Sequence, residues 1–327
     1  MFARHLVQFP AHATRVHRPG SARRALRWPA AARLTIALAL ASGLPGAGAL
    51  AQDAPADQLR ARFAAAQARQ VVRLLDQPIY LQSSESSNQV QGDVHALIDA
   101  RFAQVRENLL RADQWCGVLI LHLNVQYCRA SGPPGQEVLD VGLGRKFDEP
   151  LDDLHWLHFS WRVSRADEAY LKVVLDAPAG PLGTRDYRLV FEAAPSADAH
   201  TLVHLGFGYG HGIAARLAMQ AYLATLARDK VGFSSSGSGS SSDGGPRLVG
   251  GLRGVNERNT MRYYLAIEAY LAVLALPPAQ RLAQSLQNWF TATERYPRQL
   301  REVDRPAYLG SKQRQLTRQA SEPVPKP

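Results

Sequence analysis

Alternation of bulky apolar residues with more polar ones dominates the middle of this chain. It runs through residues 157–163, 171–175, 187–191 and 203–209. Because successive side chains of a β-strand point to opposite faces of a sheet, each stretch predicts a strand with one apolar face. The turn-rich connections at 177–183 and 195–199 are short and favour antiparallel neighbours. The sequence therefore predicts an antiparallel sheet that buries one of its faces.

Segments of helical periodicity precede and follow these strands. Residues 100–113 place Phe102, Val105 and Leu109 on one stripe, and Asn256 is the predicted N-cap of a long helix that ends near Leu276. Further helices are predicted over 55–75, 212–229 and 279–293, and extended segments over 79–81 and 90–98. This order of elements predicts an α+β fold.

The first 51 residues have the composition of an export signal. Seven arginines and no acidic residue precede or open the apolar run from Leu34 to Leu44, and the segment ends in the small-x-small pattern Ala49-Leu50-Ala51. The apolar run is too short to span a membrane. We predict a cleavable signal peptide, cleaved near Ala51, and a periplasmic or secreted mature protein.

The formal net charge of +10 is concentrated at the two ends of the chain. Seven basic residues lie in the predicted signal, and residues 295–327 hold eight basic against three acidic residues, so the segment 52–294 is close to neutral. A folded nucleic-acid-binding domain carries a basic surface, so we expect no nucleic-acid partner. The amphipathic segment 55–75 and the basic tail either contact anionic lipid or a partner, or pack on the domain.

Cys116 and Cys128 are the two cysteines of the chain. In an oxidising compartment two cysteines favour a disulfide over a metal site. A disulfide needs Cα atoms within about 7 Å, whereas a straight strand at about 3.3 Å per residue would separate the two by roughly 40 Å. The bridge therefore requires the chain to fold back, with a short helix at 115–122 and a strand from about 124. Two separately buried thiols are the alternative.

The order and spacing of the elements resemble START-related and polyketide-cyclase-like (SRPBCC) helix-grip proteins. Residues 92–105, followed by Leu109 and Trp115, are similar to the opening strand and helix of that superfamily, and residues 256–265 are similar to its closing helix. The resemblance covers roughly residues 79–276 and includes no catalytic signature. It implies a curved antiparallel sheet around a long C-terminal helix, with a cavity for a hydrophobic ligand. The extra N- and C-terminal helices are closer to exported bacterial members.

These features divide the chain into four predicted segments. They are a signal peptide (1–51), an N-terminal amphipathic helix arm (52–77), a START-like helix-grip domain (78–276) that includes a mobile Ser/Gly loop (234–245), and a C-terminal helix with a basic tail (277–327).

The apolar face of the predicted sheet, covered by the last long helix, is the candidate ligand site. The predicted lining residues are Phe159, Trp161, Arg185, Tyr187, Phe191, Leu205, Phe207, Tyr209, Tyr264 and Glu268. Arg185 either orients a ligand headgroup or forms a local ion pair with Asp186. Tyr264 and Glu268, four residues apart on a helix, are within hydrogen-bonding reach. A filled core without a pocket is the alternative for the whole set.

The sequence predicts no catalytic or metal constellation, and we expect no metal and no cofactor. His155 and His158 would lie on opposite faces of a strand, which is unsuitable for sharing a metal ion. No serine stands in a nucleophile elbow, and the alternate glycines of 206–212 indicate close packing rather than a dinucleotide loop. An enzyme of the cyclase or hydrolase kind would bring together at least two of four side chains. These are Arg185, His204, Tyr263 and Glu268.

The sequence thus favours a non-enzymatic, exported protein that binds or carries a hydrophobic small molecule or lipid. An envelope interaction or scaffold protein with a filled core is the alternative, and an enzyme of the same superfamily is less favoured. Peripheral membrane contact through the basic tail accompanies the scaffold alternative.

Overall fold

The main element of the fold is one antiparallel sheet of eight strands. The computed structural model describes residues 54–68, 79–144, 148–197, 199–213, 216–217, 230–240 and 246–322. The strands are β1 (Tyr80–Glu85), β2 (Gln89–Ile98), β3 (Val125–Ser131), β4 (Val138–Leu143), β5 (His155–Ala166), β6 (Leu171–Ala179), β7 (Thr184–Pro195) and β8 (Thr201–His211). They lie in the order β1-β2-β8-β7-β6-β5-β4-β3, so the chain enters at one edge, crosses to the other and returns strand by strand.

Helices connect the strands and follow them. They are α1 (Pro55–Ala68), α2 (Phe102–Leu109), α3 (Ala112–Leu119), α4 (Gly251–Leu271), α5 (Pro278–Glu294), the single-turn α6 (Pro297–Leu300) and α7 (Arg305–Ser321). The predicted α+β class is confirmed. The predicted helix over 212–229 falls mainly outside the described residues.

The strand registers align the alternating residues into rows across the sheet. One row joins Trp161, Leu175, Leu189, Phe207 and Gly92. The next row, two residues along each strand, is equally apolar and includes Phe191 and Leu205. Because a shift of one residue would turn every side chain to the opposite face, the alternation itself fixes this register.

Helix α4 packs on the apolar face of the sheet. Asn256 Nδ2 donates to the carbonyl oxygen of Phe207 over 3.2 Å, and Tyr263 and Ile267 are buried on the same helix. The prediction that Asn256 caps this helix is wrong: the helix begins at Gly251, and Asn256 lies inside it, fully buried. Its amide makes a tertiary hydrogen bond instead, which propensity alone does not reveal. A sheet that grips a long C-terminal helix is the helix-grip arrangement that the resemblance implied.

Helix α1 covers part of the opposite face of the sheet. Leu59 packs with Tyr170, Ala194 and Leu202 in a small apolar cluster, and Phe63 lies edge-on to Tyr80. The predicted helix arm over 52–77 is therefore helical over Pro55–Ala68, and residues 69–78 fall outside the described part.

The C-terminal helices pack on the domain as well. Trp289 Nε1 of α5 donates to the Arg262 carbonyl oxygen over 3.1 Å, and the Tyr308 hydroxyl of α7 donates to Leu121 O over 2.8 Å. The segment predicted as a basic tail thus contains the helix α7, and Arg314 in it pairs with Asp148. The charge of this helix is partly neutralised within the domain.

Part of the predicted Ser/Gly loop forms secondary structure. Residues Ser235–Ser240 form a strand, β9, which pairs with β10 (Pro246–Leu248) in a hairpin. Strand pairing uses backbone groups, and the Ser236 hydroxyl adds a hydrogen bond to Arg247 O at 3.0 Å. Residues 241–245 lie outside the described part.

A disulfide joins Cys116 on α3 to Cys128 on β3 and confirms that prediction. Their Cα atoms lie 5.2 Å apart because the chain turns back between the helix and the strand. The bond ties the helical layer to the edge strand of the sheet.

Candidate ligand site between the sheet and helix α4

Aromatic rings meet at one end of the space between the sheet and α4. The Tyr187 and Tyr209 rings stack with centroids 5.0 Å apart, and Phe207 lies 5.0 Å from Tyr263 of the helix. Phe207 also contacts Tyr187 and Tyr209, at 6.3 and 6.2 Å. This aromatic end, defined as Tyr187, Phe207, Tyr209 and Tyr263, brings three of the predicted lining residues together.

Two residues of this region lie outside the predicted lining set. Tyr263 is buried against Phe207 and also against His122, whose ring centroid lies 4.7 Å away. Burial, together with the charges of Arg262 and Lys312, holds the pKa of His122 well below its ordinary value, so this imidazole is neutral. His122 lies in the turn after α3, far in sequence from Tyr263, and no spacing rule connects the two.

Several polar atoms inside the domain have no hydrogen-bond partner among the described residues. Among them are Trp161 Nε1, the Tyr264 hydroxyl and both ring nitrogens of His211. A buried polar group without a partner is destabilising by about 1–3 kcal/mol. The interior therefore offers donors and acceptors to a bound molecule in addition to its apolar surface.

The predicted lining residues fill the interior in this structure. Phe159, Trp161, Phe191 and Leu205 are all nearly inaccessible to solvent, and Trp115 of α3 packs edge-on against Phe191 with centroids 5.8 Å apart. A hydrophobic ligand between the sheet and α4 therefore requires side chains at the aromatic end to move.

Arg185 is not a lining residue, which corrects the prediction. Its guanidinium pairs with Asp186 at 3.1 Å and is about half exposed. The register shifts between Arg185 and Arg188, and a side chain on Gly210 would meet Arg185 Cγ, which places Arg185 over the opposite face of the sheet. The bulge interrupts the two-residue alternation of side chains along β7. The prediction assumed that this alternation continues to Arg185. The alternative of a local ion pair describes Arg185 correctly.

The predicted hydrogen bond between Tyr264 and Glu268 is not formed. Tyr264 is fully buried and its hydroxyl has no partner among the described residues. Glu268 is only partly buried, and burial raises the pKa of its carboxyl. Both residues lie on α4, but only Tyr264 is fully enclosed.

The four side chains named for an enzyme do not converge. Tyr263 faces the interior, whereas His204 hydrogen-bonds to Asp93 and Glu192 on the opposite face of the sheet, which Arg185 also covers. Across the described residues, no group of three or more His, Cys, Asp or Glu side chains is arranged to hold a metal ion. None of the described helices is long and apolar enough to cross a bilayer.

Several solved structures resemble part of this chain. No protein-family model and no curated protein matches the sequence. Norcoclaurine synthase from Thalictrum flavum is 13% identical over 43% of this chain and 82% of its own, with a TM-score of 0.32. Human StAR-related lipid transfer protein 5 is 11% identical over 52% of this chain and 89% of its own, with a TM-score of 0.29. A Streptomyces aromatase/cyclase is 10% identical over 43% of this chain and 87% of its own, with a TM-score of 0.30. The helix-grip assignment rests on the strand order and the seating of α4.

Proposed function

We propose that this chain is an exported helix-grip protein that binds a hydrophobic small molecule or lipid between its sheet and helix α4. The observation that carries the proposal is the composition of the aromatic end, where four rings from β7, β8 and α4 meet. Rings of this kind bind apolar ligands, and the unpartnered ring nitrogens of His211, on the same strand as Tyr209, supply polar recognition.

Side-chain movement is the proposed route of entry. Tyr187 is the partner of the Tyr209 ring, and its hydroxyl lies 2.9 Å from Thr184 Oγ1 at the start of β7. The bulge in β7 lies immediately beside this tyrosine. Rotation of Tyr187 or Tyr209 would open the space above Phe207 without breaking the sheet.

The Cys116–Cys128 disulfide supports the proposed location. Disulfides persist in oxidising compartments such as the periplasm or the cell exterior. Together with the signal-like composition of residues 1–51, it favours a mature protein that begins near Gln52. N-terminal sequencing of protein recovered from the periplasmic fraction would test this, and an intact Met1 would contradict export by cleavage.

The proposed binding is tested by native mass spectrometry and solvent extraction of protein purified from the periplasm of the cells that make it. We expect an apolar adduct that denaturation releases. A matched pair of variants localises it: Leu205→Phe adds bulk beside Phe207 in the interior, whereas Leu282→Phe adds bulk to a partly exposed position of α5. Loss of the adduct in Leu205→Phe alone supports the site, and equal loading of both folded variants would contradict it.

An envelope interaction or scaffold protein is the second candidate function. One observation favours it: the predicted lining residues of the sheet other than Arg185 are buried against protein. This candidate predicts that the purified protein carries no adduct and that a partner protein is recovered with it after cross-linking in the periplasm.

A further inference from the structure

A cluster of charged and titratable side chains lies on the face of the sheet that α1 covers. At its centre, His204 Nδ1 lies 2.7 Å from Glu192 Oε2, and His204 Nε2 lies 2.9 Å from Asp93 Oδ1. The imidazole of His204 thus bridges two carboxylates from the strands on either side of β8. Its side chain is only 8% exposed.

Helix α1 contributes a cation to this cluster. Arg62 donates to Glu192 Oε2 over 2.9 Å, and the neighbouring Phe63 packs edge-on against Tyr80 with centroids 5.5 Å apart. Strand β6 supplies Lys172 at 3.6 Å from Glu192, and the hydroxyl of Tyr170, just before this strand, donates to the same carboxylate. The docking of α1 therefore depends on the charge state of these strand residues.

His95 is the member of the cluster without a polar partner. It is the cross-strand neighbour of Tyr80 in β1 and of His204 in β8, and its ring stacks on that of His204 with centroids 4.6 Å apart. Neither of its ring nitrogens has a hydrogen-bond partner among the described residues. A proton added to His95 would place a second imidazolium against His204 and near Arg62, with no hydrogen-bond acceptor of its own. The negative charges of Asp93 and Glu192 offset only part of this cost.

We propose that α1 is an acid-released strap, held on the sheet while His95 is neutral and released when His95 takes up a proton. Release hydrates the new charge, and it costs only the contacts that α1 makes with the sheet. It also exposes the apolar patch of Tyr170, Ala194 and Leu202 that Leu59 covers. The device is independent of any ligand between the sheet and α4.

The sign of the pH dependence follows from His95. Burial, followed by the charge of His204, lowers the pKa of His95 to about 4 from its ordinary 6.5. With α1 released, hydration moves the pKa of His95 back towards its ordinary value, while His204 stays beside it on the sheet. The released state therefore binds the proton more readily, so acid favours release. From pH 7 to pH 5 the opening equilibrium should rise by up to about 20-fold, the limit for a full return to 6.5.

The other titratable groups of the cluster do not reverse the effect of acid on α1 release between pH 7 and pH 5. Burial opposes charge on His204, but its hydrogen bonds to Asp93 and Glu192 outweigh burial and raise its pKa, so it stays protonated as the pH falls. Burial likewise opposes charge on Glu192, but hydrogen bonds from His204, Arg62 and Tyr170 hold its pKa well below the ordinary range. Glu192 protonation adds to the destabilisation only under stronger acid.

Hydrogen–deuterium exchange of the full chain tests the proposal. Amides of α1 and of β8 are compared at pH 7 and pH 5, after correction for the intrinsic exchange chemistry. We expect the opening equilibrium of α1 to rise at least about fivefold, and up to about 20-fold, while that of β8 stays within about twofold. A change below about twofold in α1, or equal opening of β8, would overturn the strap.

Three variants distinguish protonation of His95 from destabilisation by acid at other groups. His95→Phe keeps an aromatic ring on His204 but cannot titrate, so its α1 should stay docked at pH 5. His158→Phe, at an exposed histidine beside Asp140, should open like the natural chain. Arg62→Leu removes the Glu192 contact and should raise opening at both pH values. Acid release in His95→Phe as large as in the natural chain would overturn the assignment. If that variant does not fold, His95→Asn, which cannot titrate either, provides the same test with the same two outcomes.

Discussion

Gly92 on β2 lies directly against Thr260 on α4, the helix that the sheet holds. A Cβ atom built on Gly92 would lie 2.5 Å from Thr260 Oγ1 and 2.9 Å from Asn256 Nδ2. Thr260 has little freedom to move away, because its hydroxyl donates to Asn256 O over 2.8 Å. The absence of a side chain at Gly92 therefore sets how deeply α4 sits on the sheet.

Substitution Gly92→Ala should lower the free energy of unfolding by about 1–3 kcal/mol, because the added methyl overpacks the interface with α4. Urea unfolding measures the change. Gly212→Ala is the matched control, since a Cβ there meets nothing within 4 Å. Equal stability of the two variants would show that α4 does not sit against Gly92.

Removal of the disulfide should destabilise the protein by about 2–4 kcal/mol, since the bond restricts the unfolded chain. The double variant Cys116→Ser and Cys128→Ser is compared with the natural chain by urea unfolding, with and without reductant. Reductant should lower the stability of the natural chain to that of the double variant and leave the double variant unchanged. A reductant effect on the double variant would exclude this explanation.

Glu257 should stabilise the folded protein by holding the segment before the Ser/Gly hairpin in place. Its carboxylate is fully buried and accepts hydrogen bonds from the backbone N–H groups of Phe233 and Ser234 at 2.6 and 2.9 Å. Glu257→Gln should cost about 1–3 kcal/mol, because the amide oxygen still accepts both N–H groups but the charge that strengthens these hydrogen bonds is removed in a buried site. Glu137→Gln removes a carboxylate that accepts the Gly135 N–H at an exposed turn, and thermal unfolding should show a far smaller loss.

Lys312 should give the stability a distinct pH dependence. Its ammonium is buried and donates to the carbonyl oxygens of His122 and Val125 at 2.8 and 2.6 Å, and burial lowers its pKa to about 7 from 10.5. Between these values the unfolded chain holds a proton that the folded protein lacks, so the free energy of unfolding rises with pH.

The variant Lys312→Met tests this sign. From pH 7 to pH 9, the free energy of unfolding of the natural chain should gain about 1 kcal/mol per pH unit relative to the variant. Lys230→Met should show no such difference, because Lys230 is at the surface, donating to Arg301 O over 2.7 Å. A flat difference for Lys312→Met would contradict a neutralised buried lysine.

The sheet was predictable because its signal is periodic and local. Leu157 to Tyr209 repeat the same two-residue pattern in strand after strand, and only one register puts all the bulky residues on one face. The same reasoning failed at Arg185, where a bulge interrupts the period, and a bulge leaves no clear mark in a single sequence.

The polar groups were less predictable because their partners are distant in sequence. Asn256 has the composition of a helix cap, yet it bonds to Phe207 O, 49 positions away. His204 was named only among the four side chains of the enzyme alternative, and its bridge between Asp93 and Glu192 depends on the pairing of three strands. Ser235–Ser240 was predicted as a loop because side-chain polarity says little about backbone pairing.

Quenching of tryptophan fluorescence by a brominated fatty acid tests the proposed ligand site most directly. Trp161 and Trp115 lie in the interior, whereas Trp289 lies between α4 and α5 and donates to Arg262 O. We predict saturable quenching that Trp289→Phe retains and that the double variant Trp115→Phe and Trp161→Phe loses. Absence of quenching in the natural chain, or quenching that survives in the folded double variant, would contradict binding between the sheet and α4.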